Sequence, residues 1–430
     1  KIVIVGAGIA GLTLAYLLSQ EKDNEIILVE KEQTVGGLAR SFQYDDFIFD
    51  IGPHRFHTDF PDVINFIKEI LNDDYIIIER KSGARMFDEY LDWPLKINAV
   101  FKLPIHVLFS LGKDLFRQKE QKNNSFQKYI LSHYGKTLYH IFFKPYTEKF
   151  LKVSCSQISK DWAITGIERA IIDKNIRMDD LLKLAKSTIF PQPPLKFIYP
   201  KRKGIGLFAE KLAEKISSKG AKIIPGSKIE NIEVKYNKIE NITINNKTYR
   251  CDMLFWTGTI LEILKRLNKD IPDIKYLNLI LYNYLINNPP LLDYQWCYYG
   301  DKETPFNRIS IPSLFNSSNA PKGKSGICAE VTCYKDDSFW KNPVSLENNI
   351  RNNLIKNLIL KDGKDIIDVK IETIENAYPI YTLNYKKEIM AAKESLKTFK
   401  NLKLLGRTAN FWYNNMDHSI QSAINLFKNI

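Results

Sequence analysis

Ile2-Val3-Ile4-Val5 runs without interruption into Gly6-Ala7-Gly8-Ile9-Ala10-Gly11. The first run is short, apolar and β-branched, the pattern of a buried parallel strand. Apolar residues at helical spacing follow from Ala10 to about Gln20, and Ile26-Ile27-Leu28-Val29 supplies a second strand. A complete β-α-β unit therefore fits within the first thirty residues. Each glycine of the turn has a mechanical task. Gly6 turns the chain sharply out of the strand, Gly8 lets backbone approach a pyrophosphate, and Gly11 lets helix and strand pack closely. The helix start, at Ala10, offers free N–H groups and a positive dipole end to phosphate. Glu30 closes the second strand nineteen residues after Gly11, where a carboxylate can accept hydrogen bonds from a ribose hydroxyl. The pattern predicts a dinucleotide site.

A second glycine pair narrows the dinucleotide. In Val35-Gly36-Gly37-Leu38-Ala39-Arg40-Ser41, adjacent glycines can press backbone amides against another phosphate, and Arg40 can neutralise it. Glu30-Lys31, Gly36-Gly37-Leu38 and Arg40-Ser41 together resemble the extended FAD fingerprint of the flavin amine oxidase and protoporphyrinogen oxidase superfamily. The resemblance implies a non-covalent FAD lying between a nucleotide domain and a substrate domain. Leu405-Gly406-Arg407, followed by a helix near Met416-Asp417, is similar to the closing motif of that superfamily. There the glycine and the helix N-terminus face the ribityl chain and pyrimidine ring, and a helix dipole so placed favours an anionic reduced flavin.

The rest of the chain predicts an α/β protein. Its FAD-binding, Rossmann-type domain of the glutathione-reductase kind is assembled from separated segments. Residues 1–75, 195–270 and 401–430 form that domain, and 76–98 add a substrate-sheet segment. Residues 99–190 form an inserted helical domain, and 271–400 a mostly antiparallel substrate sheet. Between residues 195 and 270, Leu207 to Ser217 reads as a helix, and Lys238 to Ile244 and Thr248 to Phe255 suggest the strands of a meander. Five cysteines in 430 residues, with no CxxC pair, argue against a disulfide framework and fit a reducing cytoplasm. Cys328 and Cys333 read as strand residues, and no metal site is expected. The apolar opening is broken by the glycine turn and is not read as a signal peptide. Ile97 to Leu111 is too short to span a bilayer and predicts a buried or interfacial helix, with peripheral membrane contact as the alternative. The net charge of +13 favours anionic partners, yet no nucleic-acid module is visible. Oligomeric state is left open, a homodimer being one option.

Three further stretches bear on chemistry. Gly52-Pro53-His54-Arg55-Phe56-His57-Thr58 closely resembles a motif of UDP-galactopyranose mutases. Tyr146-Thr147-Glu148-Lys149 resembles the start of their substrate helix, and Gly406-Arg407 through Tyr413 to Met416 their last active-site strand and loop. The resemblance implies an isomerase of nucleotide sugars serving cell-surface polysaccharide. In it, reduced flavin N5 attacks the anomeric carbon, and the sugar re-closes from pyranose to furanose without net redox. By position, Arg407 and Tyr413 would bind the diphosphate, Tyr146 would be a phosphate-side tyrosine, and Arg169 a second arginine. His54 and His57 would lie beside the flavin, where imidazoles relay protons. Plainer readings stand beside these: hydrogen-bonded structural histidines, an ion-paired Arg169, and simple aromatic packing of Tyr413 with Phe411 and Trp412. The chain also departs from the mutases. Phe150-Leu151 stands where they carry tryptophan, Asn415 where they carry aspartate, and Gly204-Ile205-Gly206-Leu207 replaces their Gly-Gly-Tyr. An FAD-dependent oxidoreductase of amine oxidase, protoporphyrinogen oxidase or desaturase type therefore remains the rival, with Tyr276 to Trp296 building an apolar tunnel. A flavin-binding scaffold without activity is the third reading.

Overall fold

The computed structural model describes residues 1–21, 23–93, 102–115, 124–170 and 195–430. Its first strand, β1 (Ile2–Val5), is followed by α1 (Ile9–Leu18) and β2 (Ile26–Val29). Both strands enter a five-stranded parallel sheet ordered 402–404, 253–256, 2–5, 26–29, 222–224. The register sets Ile2 beside both Ile26 and Met253, and Val5 beside Val29 and Trp256. Helix α1 is buried over nearly its whole length. It lies against the helices Gly206–Ser218 and Met416–Phe427. Ile4, Leu28 and Phe255 pack with these helices while Val3, Ile27 and Leu254 enter a second core, so the sheet is buried on both faces and its strands show apolar runs without alternation.

Thr248 to Phe255 is not one strand. Lys247–Arg250 closes a three-stranded antiparallel ribbon, whereas Met253–Trp256 joins the parallel sheet beside β1. The break falls at Cys251-Asp252, where the Asp252 N–H donates to the Lys1 carbonyl at 2.9 Å. Hydrophobic pattern alone carries no mark of such a change of sheet.

The second large element is a seven-stranded sheet in the order 366–379, 276–286, 325–333, 308–310, 296–299, 82–86, 89–92. All its pairs are antiparallel except that of Trp296–Tyr299 with Ser82–Met86. Every residue of Tyr276–Ile286 is buried, because its two faces serve two cores. Leu277, Leu279, Leu281 and Leu285 enter one, and Ile280, Tyr282, Tyr284 and Ile286 the other. Helices Phe126–Leu138, Lys144–Leu151 and Lys160–Ala170 of the insert pack on the first of these cores. The helix Ile105–Leu115 exposes Ile105 and Phe109, and residues 97–101 of the proposed interfacial stretch lie outside the described residues. No helix among the described residues is long and apolar enough to cross a membrane. All five cysteines are buried thiols.

Candidate active site

The glycine turns meet each other. Gly8 bridges to Gly36, and the Gly36 N–H donates to the Ala7 carbonyl at 2.8 Å. Gly6 (φ +98°) leaves no room for a β-carbon beside the Thr257 hydroxyl, and a β-carbon on Gly11 would overlap the Gly6 carbonyl oxygen. Gly37 (φ +58°) comes so near Gly8 that a β-carbon would lie 3.0 Å from the Gly8 Cα. Thr257 ties the crossing together by donating to the Val5 carbonyl at 2.7 Å. The result is a backbone-lined cradle at the start of α1, with no side chain capping the helix. Such a cradle of amides suits a pyrophosphate.

Glu30 is buried beneath it. One carboxylate oxygen accepts from the Ala7 N–H at 2.7 Å, the other from the Glu32 N–H at 2.9 Å. Arg40 lies 3.8 Å from the Glu32 carboxylate, whereas Lys31 is more exposed and sits between Glu32 and Glu375. Ser41 anchors the far side, donating to Asp50 at 2.6 Å and accepting from the Gly206 N–H at 2.8 Å. At the other end of the chain Gly406 (φ +82°) packs against Ala10, where a β-carbon would approach within 2.9 Å. Met416 and Asp417 open the last helix, and Asp417 meets the His418 ring at 3.0 Å.

A cluster of cations and tyrosines begins at Arg407, one residue beyond Gly406. Arg407 donates to the Asn414 carbonyl at 3.0 Å and the Ala377 carbonyl at 2.7 Å. Its guanidinium covers the rings of Tyr413 (4.6 Å) and Tyr378 (5.2 Å). Arg308 forks onto Glu330 and reaches the Tyr378 hydroxyl at 3.5 Å. Burial pushes the Tyr146 hydroxyl pKa up, while Arg308 counteracts it and Tyr298, Tyr413 and Tyr378 add to it. Burial also drives the His54 pKa down to about 3, helped by Arg308, Arg407 and Arg55. His54 is thus a neutral imidazole in the fold. Its Nδ1 is shielded from solvent and meets no partner among the described residues. His57 lies outside any strand, one residue past the bridge of Phe56 to Ile198, with Nδ1 3.3 Å from the Lys196 carbonyl oxygen and its ring edge-on to Phe197. Arg55, between the two histidines, packs over Phe197 and Trp296.

Residues 4–70 match the model of an NAD(P)-binding Rossmann-like domain. The UDP-galactopyranose mutase of Mycoplasma genitalium is 26% identical over 98% of this chain and 93% of its own length. A crystal structure of reduced UDP-galactopyranose mutase covers 100% of this chain and 95% of its own, at TM-score 0.83 and 21% identity. An oxidoreductase from Methanosarcina mazei covers 100% of both chains at TM-score 0.68 and 16% identity. This chain is similar over nearly its whole length to a UDP-galactopyranose mutase and shares the fold of these solved structures. That fold has a Rossmann-like part, a larger mixed sheet and inserted helices.

Within that fold, the residues singled out by sequence separate into two groups. Gly6, Gly8, Ala10, Gly11, Glu30, Gly36, Gly37, Leu38, Arg40 and Gly406 lie around the cradle, with Met416 and Asp417 on the helix beside α1. His54, Tyr146, Arg407 and Tyr413 come together electrostatically in the other cluster. Arg169 falls in the last turn of the helix Lys160–Ala170, and its side chain lies outside the described residues. The sequence reading missed Arg308, Glu330, Tyr378, Trp162 and Arg55. Only Arg55 carried a signal, as a cation inside the Pro53-His54-Arg55-Phe56-His57 run.

Proposed function

We propose that this chain is an FAD-dependent enzyme interconverting the pyranose and furanose forms of a nucleotide sugar, for cell-surface polysaccharide. One observation carries the reading: the Arg308 and Arg407 guanidiniums meet on Tyr378, one 3.5 Å from its hydroxyl and the other 5.2 Å from its ring centroid. Two guanidiniums on one tyrosine, with Tyr413 beside them, suit a diphosphate, and an apolar substrate would need neither. The glycine cradle fits the FAD pyrophosphate, because Gly6, Gly11 and Gly37 leave no room for a β-carbon and the chain around Gly8 is bare backbone. In this reading residues 1–75, 195–270 and 401–430 hold FAD, while 76–98 and 271–400 cover it and 99–190 form the helical insert. Reduced FAD, held at the cradle of Gly6, Gly8, Gly11, Gly36 and Gly37, would supply a nucleophilic nitrogen for displacement at the anomeric carbon without net oxidation.

The chain's own residues do the rest. Arg407 and Tyr413 bind the diphosphate, Arg308 adds a second guanidinium, and Tyr146 offers a hydroxyl on the phosphate side. His54, neutral at physiological pH, donates from one ring nitrogen and accepts at the other, so it can pass a proton without holding one. His57 supports the same side of the site. The buried free thiols suit a reducing cytoplasm.

Dithionite-reduced protein, offered a panel of UDP- and dTDP-sugars, should yield ring-contracted product. No product across the panel, together with oxygen uptake matching the turnover of an amine or porphyrinogen, would instead establish the oxidase.

A further inference from the structure

Tyr413 is held by an element far from it in sequence. Its ring lies face to face with Trp162, 4.6 Å between centroids and 9° between planes. Its backbone N–H donates to the Tyr381 hydroxyl at 2.7 Å, and the Tyr381 ring stands edge-on to Trp162 at 5.9 Å. Trp162 is buried in the first turn of the helix Lys160–Ala170. That turn is pinned by its neighbour Asp161, which accepts from Ser159 at 2.9 Å and Tyr385 at 3.1 Å and pairs with Lys386 at 2.9 Å. Tyr385 in turn stacks flat on Tyr381 at 4.2 Å. The helical insert therefore reaches the loop that follows Arg407 through one indole and one tyrosine pair.

We propose that Trp162 is a positioning residue for diphosphate recognition. Its indole fixes the plane of the Tyr413 ring, and that ring supports the face of the Arg407 guanidinium whose edge is held by the Asn414 and Ala377 carbonyls. The directions of all N–H groups on a guanidinium follow from its plane, and a fork matches a diphosphate only in a narrow range of orientations. A Tyr413 ring free to turn would let the fork swing, weakening the ligand's hydrogen bonds without removing a single charge. The inference rests on the assignment of Arg407 and Tyr413 made above. It adds that the insert, and not only the strand-end loop, sets how tightly the diphosphate is held.

The test uses the full-length flavoprotein with UDP and inorganic pyrophosphate as probes, comparing wild type, Trp162→Phe, Trp162→Leu and Arg407→Ala. Phenylalanine keeps a flat ring against Tyr413, and leucine keeps apolar bulk without one. Flavin absorbance reports that each variant is folded. Trp162→Leu should weaken both probes about tenfold, the scale of a lost stacking and cation–π arrangement. Trp162→Phe should stay within about threefold of wild type. Equal binding by the Leu and Phe variants, both near wild type, would reduce Trp162 to packing and overturn the proposal. Equal binding by wild type and Arg407→Ala would overturn the diphosphate assignment beneath it, and this proposal with it.

Discussion

Arg308 and Glu330 face each other on paired antiparallel strands, Nε on one carboxylate oxygen and Nη2 on the other, both at 2.6 Å. Gly52 (φ +73°) brings the main chain against this fork, where a β-carbon would lie 2.9 Å from the carboxylate. Glu330 is 2% exposed, so its loss leaves a guanidinium short of its counter-charge in a largely dry site. Removing one partner of such a pair costs about 3–5 kcal/mol. Urea unfolding of Glu330→Ala should show a loss of that order. A loss below about 1 kcal/mol would mean the pair behaves as an exposed one.

Gly11 has ordinary backbone angles but no space, since a methyl group there overlaps the Gly6 carbonyl oxygen. Gly11→Ala must push α1 away from β1 and shift the amides that line the cradle. The expected outcome is protein purified without bound flavin, read from visible absorbance. Gly112→Ala is the control, because nothing lies within 4 Å of a β-carbon there. That change should leave flavin content untouched. Full flavin content in Gly11→Ala would place the dinucleotide elsewhere.

Asp50 joins three segments from a buried position. It accepts from Ser41 at 2.6 Å, Tyr199 at 2.7 Å and the Ile205 N–H at 2.9 Å. Asp50→Ala strips the buried Tyr199 hydroxyl and Ile205 amide of their acceptor, at about 1–3 kcal/mol for each unsatisfied group. Thermal or urea unfolding should record a loss of about 3 kcal/mol. An unchanged midpoint would mean that other acceptors replace the carboxylate.

The nucleotide half was legible because its restrictions are local. Gly6, Gly8 and Gly11 sit in one turn and Gly36-Gly37 in another, and most of them are needed for a steric reason that neighbouring residues announce. The arginine cluster was legible only in part. Arg407 and Tyr413 follow a strand-end glycine, but Arg308 owes its place to Glu330, twenty-two residues away. An arginine in a short strand looks like any solvent-facing residue until its cross-strand partner is known. Trp162 and Tyr378 read as core aromatics, and they are core; what the sequence does not carry is which rings touch Tyr413. The change of sheet at Cys251-Asp252 was hidden for a related reason, because strand propensity is blind to which neighbour a strand pairs with.

His54 gives stability a pH dependence whose sign is fixed. Its folded pKa lies near 3, against about 6.5 for an unperturbed imidazole. Between those values the unfolded chain binds a proton that the folded protein does not. Stability from this group is therefore present above about pH 6.5 and is lost as pH falls towards the folded value. His54→Gln removes the titration while keeping a polar side chain beside the arginines. Asp50, pushed up to about 6 by burial, contributes with the opposite sign, but it does so in both proteins and drops out of the comparison. Between about pH 7.5 and about pH 5 the melting temperature of the wild type should fall further than that of His54→Gln. Equal falls would show that the imidazole accepts its proton inside the fold, which three guanidiniums held around it should forbid.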